Sequence, residues 1–133
     1  MNFPIQTVTV CLVCTFFAVC FLQSALDKLG DWAGNLEFLK GHFSQTPLKS
    51  MVPMLLGTIT VVELIAGLIC LVAVPMIAVS GAMWIAQLGL ALCGMALIML
   101  FFGQRMAKDY VGAANLAVYF GVVIIGLAVT SSR

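Results

Sequence analysis

The sequence predicts an all-α membrane protein: a four-transmembrane-helix, up-down-up-down bundle with a short interfacial amphipathic helix between spans one and two. Three observations predict it. Four apolar runs, at residues 5–26, 51–74, 76–102 and 110–130, cover most of the 133 residues, and each matches the ~20 residues a helix needs to cross a bilayer. Hydrophobic residues make up 63% of the chain and charged residues 8%, with a mean hydropathy of +1.18, whereas soluble domains carry about a quarter charged residues. Only the connection at 27–50 is long, and the others are short enough to make consecutive spans antiparallel neighbours.

Composition also excludes. The formal net charge of +1 leaves no strongly basic footprint for a nucleic acid. The length holds one compact bundle, 1–133, and no separate soluble catalytic domain. The run at 5–26 is not read as a secretory signal: no Lys or Arg precedes it, it exceeds a signal core in length, and Asp27 and Lys28 follow at once. It is expected to be retained. Backbone groups in lipid must bond internally, and runs of this length suit helices rather than barrel strands.

Four spans place both termini on one side. Lys28, Lys40, Lys49, Arg105 and Lys108 all fall in the two segments of the other side, leaving only Arg133 and the amino terminus on the first. The positive-inside bias then makes 27–50 and 103–109 cytoplasmic and both ends external.

Within 27–50, Leu29, Trp32, Leu36, Leu39 and Phe43 recur at three- and four-residue steps, with Asp31, Glu37 and Lys40 between them. This is the pattern of a helix lying at the interface with Trp32 at headgroup level. It suits a cap over the mouth of the bundle better than a membrane sensor. Gly41 reads as its stop signal, and Pro47 and Pro53 bracket the entry to span two. Spans two and three meet around Pro75 with almost no polar residue, which predicts a tight hairpin there. Spans three and four join through 103–109.

Glu63 is the residue that points most directly to function. It is the one charge in the second run. A carboxylate at bilayer depth costs about 3 kcal/mol on insertion scales, so such residues face the bundle interior and have partners. Gln87, near the middle of the adjacent run, is a candidate hydrogen-bond partner. Lys28 and Arg105 start at the rim and have the reach to approach it. These four residues form the expected buried polar network. A paired Glu63 is structural; an unpaired one is protonated by desolvation and suited to relay a proton.

Cys11 and Cys14 form a C-x-x-C pair. Redox pairs of this kind need an exposed, stabilised thiolate, and here the pair lies inside an apolar run, where cysteine more often packs as a small hydrophobe. His42 is the only histidine, so the residues suggest no metal or haem site built within the chain. Ala113, Ala117 and Gly121 repeat every four residues in span four, and Gly89 with Cys93 does so in span three. Small residues at this spacing let helices approach closely, inside the bundle or at a subunit contact.

Four segments resemble the DoxX-like family of small four-helix membrane proteins: SALDKLGDW at 24–32, FSQTPL at 43–48, ELIAGL at 63–68 and DYVGAANL at 109–116. Ala25 departs from the family's frequent glycine, and Val74-Pro75 from its charged turn. The resemblance implies a four-helix bundle in a bacterial inner membrane. It also implies kinship with the small subunits of thiosulfate:quinone oxidoreductase and with membrane partners of thiol and oxidative-stress enzymes. Asp27, Lys28 and Glu63 are the matched polar positions, none with an established catalytic role.

The expected function is therefore an integral membrane accessory subunit of a respiratory or quinone-linked redox complex. Its partners would be other membrane subunits and lipid, and no cofactor is intrinsic to the chain, though a quinone or lipid is compatible with the bundle. The alternative is a component of a sulfur-compound or thiol:quinone oxidoreductase with Glu63 as proton relay. A small carrier or channel fits least, because one buried acid makes no charge-lined path.

Overall fold

The structure, a computed structural model, describes residues 4–131. It contains α1 (Ile5–Gly30), α2 (Trp32–His42), a single 3₁₀ turn (Lys49–Met51), α3 (Val52–Ser80), α4 (Trp84–Met106) and α5 (Tyr110–Thr130). Helices α1, α4 and α5, and α3 together with the 3₁₀ turn before it, are long and apolar enough to cross a membrane, so the chain is a multi-pass membrane protein. Arg133 and the amino-terminal residue, which entered the charge argument, lie outside the described residues.

Local chemistry explains the boundaries. Asp31 caps α2 by accepting from Gly34 N at 3.2 Å, and Asp109 caps α5 by accepting from Gly112 N at 3.0 Å; each satisfies an amide that the first helical turn leaves open. Pro53 sits in the first turn of α3, where a missing N–H removes no helical bond. Hydroxyls inside the spans bond back to the preceding turn, Thr15 to Cys11 O at 2.7 Å and Thr60 to Leu56 O at 2.7 Å. Each of these hydroxyls is thereby satisfied within its own helix.

The junction of spans two and three differs from the sequence expectation. Pro75 does not turn the chain: α3 runs through it to Ser80, and the turn lies at Gly81, Ala82 and Met83. Proline removes one helical hydrogen bond, a loss that packed membrane helices tolerate. What ends α3 is Gly81, whose φ of 72° is left-handed and whose N–H closes on Ile77 O at 2.8 Å. The second span is thus Val52–Ser80 rather than 51–74, and the third is Trp84–Met106 rather than 76–102.

Helix α1 packs most extensively on α3, α3 on α4 and α4 on α5, with a shorter α1–α5 seam closing the ring. The core runs through Phe17, Leu56, Ile77, Leu90 and Val123. Two glycines permit close approach to a neighbouring helix's backbone: a Cβ on Gly67 would lie 3.2 Å from Leu22 N, and one on Gly89 3.3 Å from Cys70 N. Helix α2 buries none of its residues fully, but Trp32, Leu36, Leu39 and Phe43 are half-buried and Asp31, Glu37 and Lys40 exposed. These four residues of the expected stripe turn toward the bundle, as a cap requires, whereas Leu29 belongs to α1, which runs on to Gly30, and is exposed.

Candidate functional site

Glu63 lies in α3 about three turns from its start, and only 2% of its side chain is exposed. Lys28, in the last turn of α1, reaches inward so that Nζ stands 2.8 Å from Glu63 Oε1, with 16% of the lysine side chain exposed. The ammonium also donates to Ser24 Oγ at 2.6 Å, one turn back on its own helix. The 2.8 Å contact is a close ion pair that compensates the buried carboxylate from within the chain.

The other two members of the expected polar network stand apart. Gln87 is exposed one turn inside α4. Moving the turn from Pro75 to Gly81 explains why. At 1.5 Å per residue Glu63 lies about 25 Å from the end of α3, whereas Gln87 lies about 5 Å from the start of α4. Arg105 is exposed in the last turn of α4, its guanidinium 4.9 Å from the centre of the Tyr110 ring, a cation–π contact that keeps the charge at the surface.

Of the cavities in this half of the bundle, two have polar residues in their walls. One, of about 280 Å³, is lined by Glu63 and Ser24 together with Phe17, Phe21, Leu97 and Leu116. Cys20 of α1 and Tyr119 of α5 also line it, the latter 40% exposed. The second, of about 380 Å³, lies between α2 and the α4–α5 connection and shares Leu100 and Leu116 with the first. Phe38, Phe43, Leu55 and Met99 are among its apolar walls, and His42, Gln104, Asp109 and Asn115 are its polar ones.

His42, solitary in the sequence, has partners in the fold. Its Nε2 lies 2.7 Å from Gln104 Oε1 and 3.9 Å from Asp109 Oδ2, and its ring stacks on Phe38 with centroids 5.6 Å apart. These contacts tie α2 to the α4–α5 connection. Gln104 is 62 positions away along the chain, and no spacing rule reaches that far.

The C-x-x-C pair separates. Cys14 is fully buried and in side-chain contact with Cys70, whose Sγ is 3.6 Å from Cys93 Sγ. Cys11 is half-buried, 3.9 Å from Val74 O. All five cysteines are free thiols. The three-thiol column of α1, α3 and α4 has no cation beside it among the described residues, so a thiolate there would be without support. No group of three or more His, Cys, Asp or Glu is placed to hold a metal ion among the described residues.

The small-residue stripe divides as well. Ala113 is buried, but Ala117 and Gly121 are exposed, and nothing stands within 4 Å of a Cβ built on Gly121. Gly89, by contrast, is buried between α3 and α4.

Comparison with known proteins finds no matching family model, no matching curated protein and no matching solved structure.

Proposed function

We propose that this chain is a non-catalytic accessory subunit of a respiratory or quinone-linked redox complex in a bacterial inner membrane, providing anchorage and packing surface. The 27–50 and 103–109 segments would face the cytoplasm. The observation that carries the subunit reading is the Lys28–Glu63 pair: the one charge deep in the bundle is matched from within the chain and is spent on holding α1 to α3. The exposed Ala117 and Gly121 of α5 add a smooth outer strip on which another helix can lie closely. The redox assignment rests on the four segments that resemble the DoxX-like family.

A second reading, a thiol- or sulfur-compound:quinone oxidoreductase component with Glu63 as proton relay, draws on one observation. Glu63 lines a cavity shared with Ser24, Cys20 and Tyr119. Glu63→Gln in native membranes separates the two. The accessory reading predicts less assembled complex with unchanged turnover per complex, and normal assembly with lost turnover would overturn it in favour of the relay.

A further inference from the structure

The cavity of about 380 Å³ under the cap carries an inference that goes beyond the subunit reading and does not depend on it. Polarity along its wall is graded. His42, Gln104 and Asp109 stand where α2 and α4 end and α5 begins, whereas Leu55, Met99 and Leu116 lie one to two turns inside their spans. A molecule that matches this order is an amphiphile, with its head under the cap and its apolar arm toward the bilayer centre.

Charge decides the kind of head. Asp109 is the one acidic residue in this wall, and no Lys or Arg lines it. One oxygen of its carboxylate accepts from Gly112 N at 3.0 Å. Among the described residues only His42 brings a basic nitrogen within 4 Å of Asp109, and at 3.9 Å from Oδ2 it is beyond hydrogen-bond reach. That nitrogen, Nε2, instead gives its hydrogen to Gln104 Oε1 at 2.7 Å, a bond the uncharged ring can make. Arg105, in the last turn of α4, is held on the Tyr110 ring. The helix dipoles oppose one another here, since α2 and α4 end at the cavity while α3 and α5 begin there. The carboxylate therefore sets the sign of the site. Phe38, Phe43 and Phe102 share its wall, and the faces of such rings attract cations. A carboxylate among aromatic rings repels an anionic head and complements an ammonium.

We propose that this cavity binds the organic ammonium head of an amphiphile, the cation against Asp109 and the phenylalanine rings and the apolar arm along Leu55, Met99 and Leu116. A free lipophilic amine and an aminophospholipid both carry this chemistry, and the test separates them.

The full chain in phosphatidylglycerol nanodiscs is titrated with radiolabelled para-butyl-trimethylanilinium, with empty nanodiscs as the blank. Saturable binding above the blank is expected. The uncharged isostere para-butyl-tert-butylbenzene, with carbon in place of the nitrogen, is expected to displace the label at least about tenfold less effectively than the unlabelled cation. Asp109→Asn removes the charge and keeps an equally good helix cap, so it is expected to weaken binding at least about tenfold at unchanged helical content. If phosphatidylethanolamine added to the nanodiscs competes with the label, the ammonium site takes a lipid headgroup; if binding is indifferent to it, the site takes a free amine. Equal displacement by cation and isostere on the native chain, a comparison that needs no variant, overturns the proposal. Undiminished binding by a folded Asp109→Asn protein, or no saturable binding by the native chain, overturns it as well.

Discussion

Lys28 Nζ stands 2.8 Å from Glu63 Oε1, joining the last turn of α1 to the interior of α3. Breaking such a pair exposes more energy than forming it gains. A buried ion pair costs each ion its hydration, and removing one partner leaves the other uncompensated, at about 3 kcal/mol or more. Lys28→Met should therefore destabilise the bundle by about 3 kcal/mol, whereas Lys28→Met with Glu63→Leu should return to within about 1 kcal/mol of the native protein. Unfolding by SDS titration in mixed micelles measures both. A double variant no better than the single would remove the pair from the account.

Glycine 89 tests the tight approach of α3 and α4. A Cβ there would lie 2.9 Å from Cys70 Sγ and 3.3 Å from Cys70 N, and the backbone atom cannot swing aside. Gly89→Ala should cost about 1–3 kcal/mol, the range for overpacked cores. Gly121→Leu, whose Cβ meets nothing within 4 Å, should leave the isolated chain within about 0.5 kcal/mol of native. Any loss of a native assembly by Gly121→Leu then reports a partner on α5.

The position of the second turn is open to chemical labelling. Ala82→Cys should react with a water-soluble maleimide, while Pro75→Cys, about 8 Å up the helix from Ser80 by the helical rise, should be protected. The native protein serves as the blank for its own five thiols, three of which are fully buried. In spheroplasts, external reagent should label Ala82→Cys and spare Lys49→Cys under the proposed orientation; the reverse pattern would invert it.

His42 holds the cap. Replacing it with Leu removes the 2.7 Å bond to Gln104 and should cost about 1 kcal/mol, felt locally. Hydrogen exchange should accelerate across Trp32–His42 and leave α1 and α3 unchanged. Uniform acceleration through all helices would show that α2 belongs to the same cooperative unit as the bundle.

Much of the architecture is legible in the chain because lipid imposes it: four runs of spanning length and a polar stretch with a three-and-four stripe. Pro75 misleads because its local meaning in water, a helix stop, is overridden where the flanking residues are apolar to Ser80 and a left-handed glycine follows. That displacement also carries Gln87 away from Glu63. Among three candidate partners for the carboxylate, only the packing of α1 on α3 selects Lys28, since reach alone does not distinguish it from Arg105. The Cys14–Cys70–Cys93 column and the His42–Gln104–Asp109 cluster join residues from different helices, and periodicity within one helix says nothing about them.

The central claim, that this is an accessory subunit of a redox complex, is tested most directly by purifying a tagged copy from native membranes in mild detergent. Partners are then identified by mass spectrometry and haem by absorbance. Stoichiometric recovery of cytochrome or quinone-enzyme subunits is the predicted result. A clean oligomer of this chain alone would contradict it.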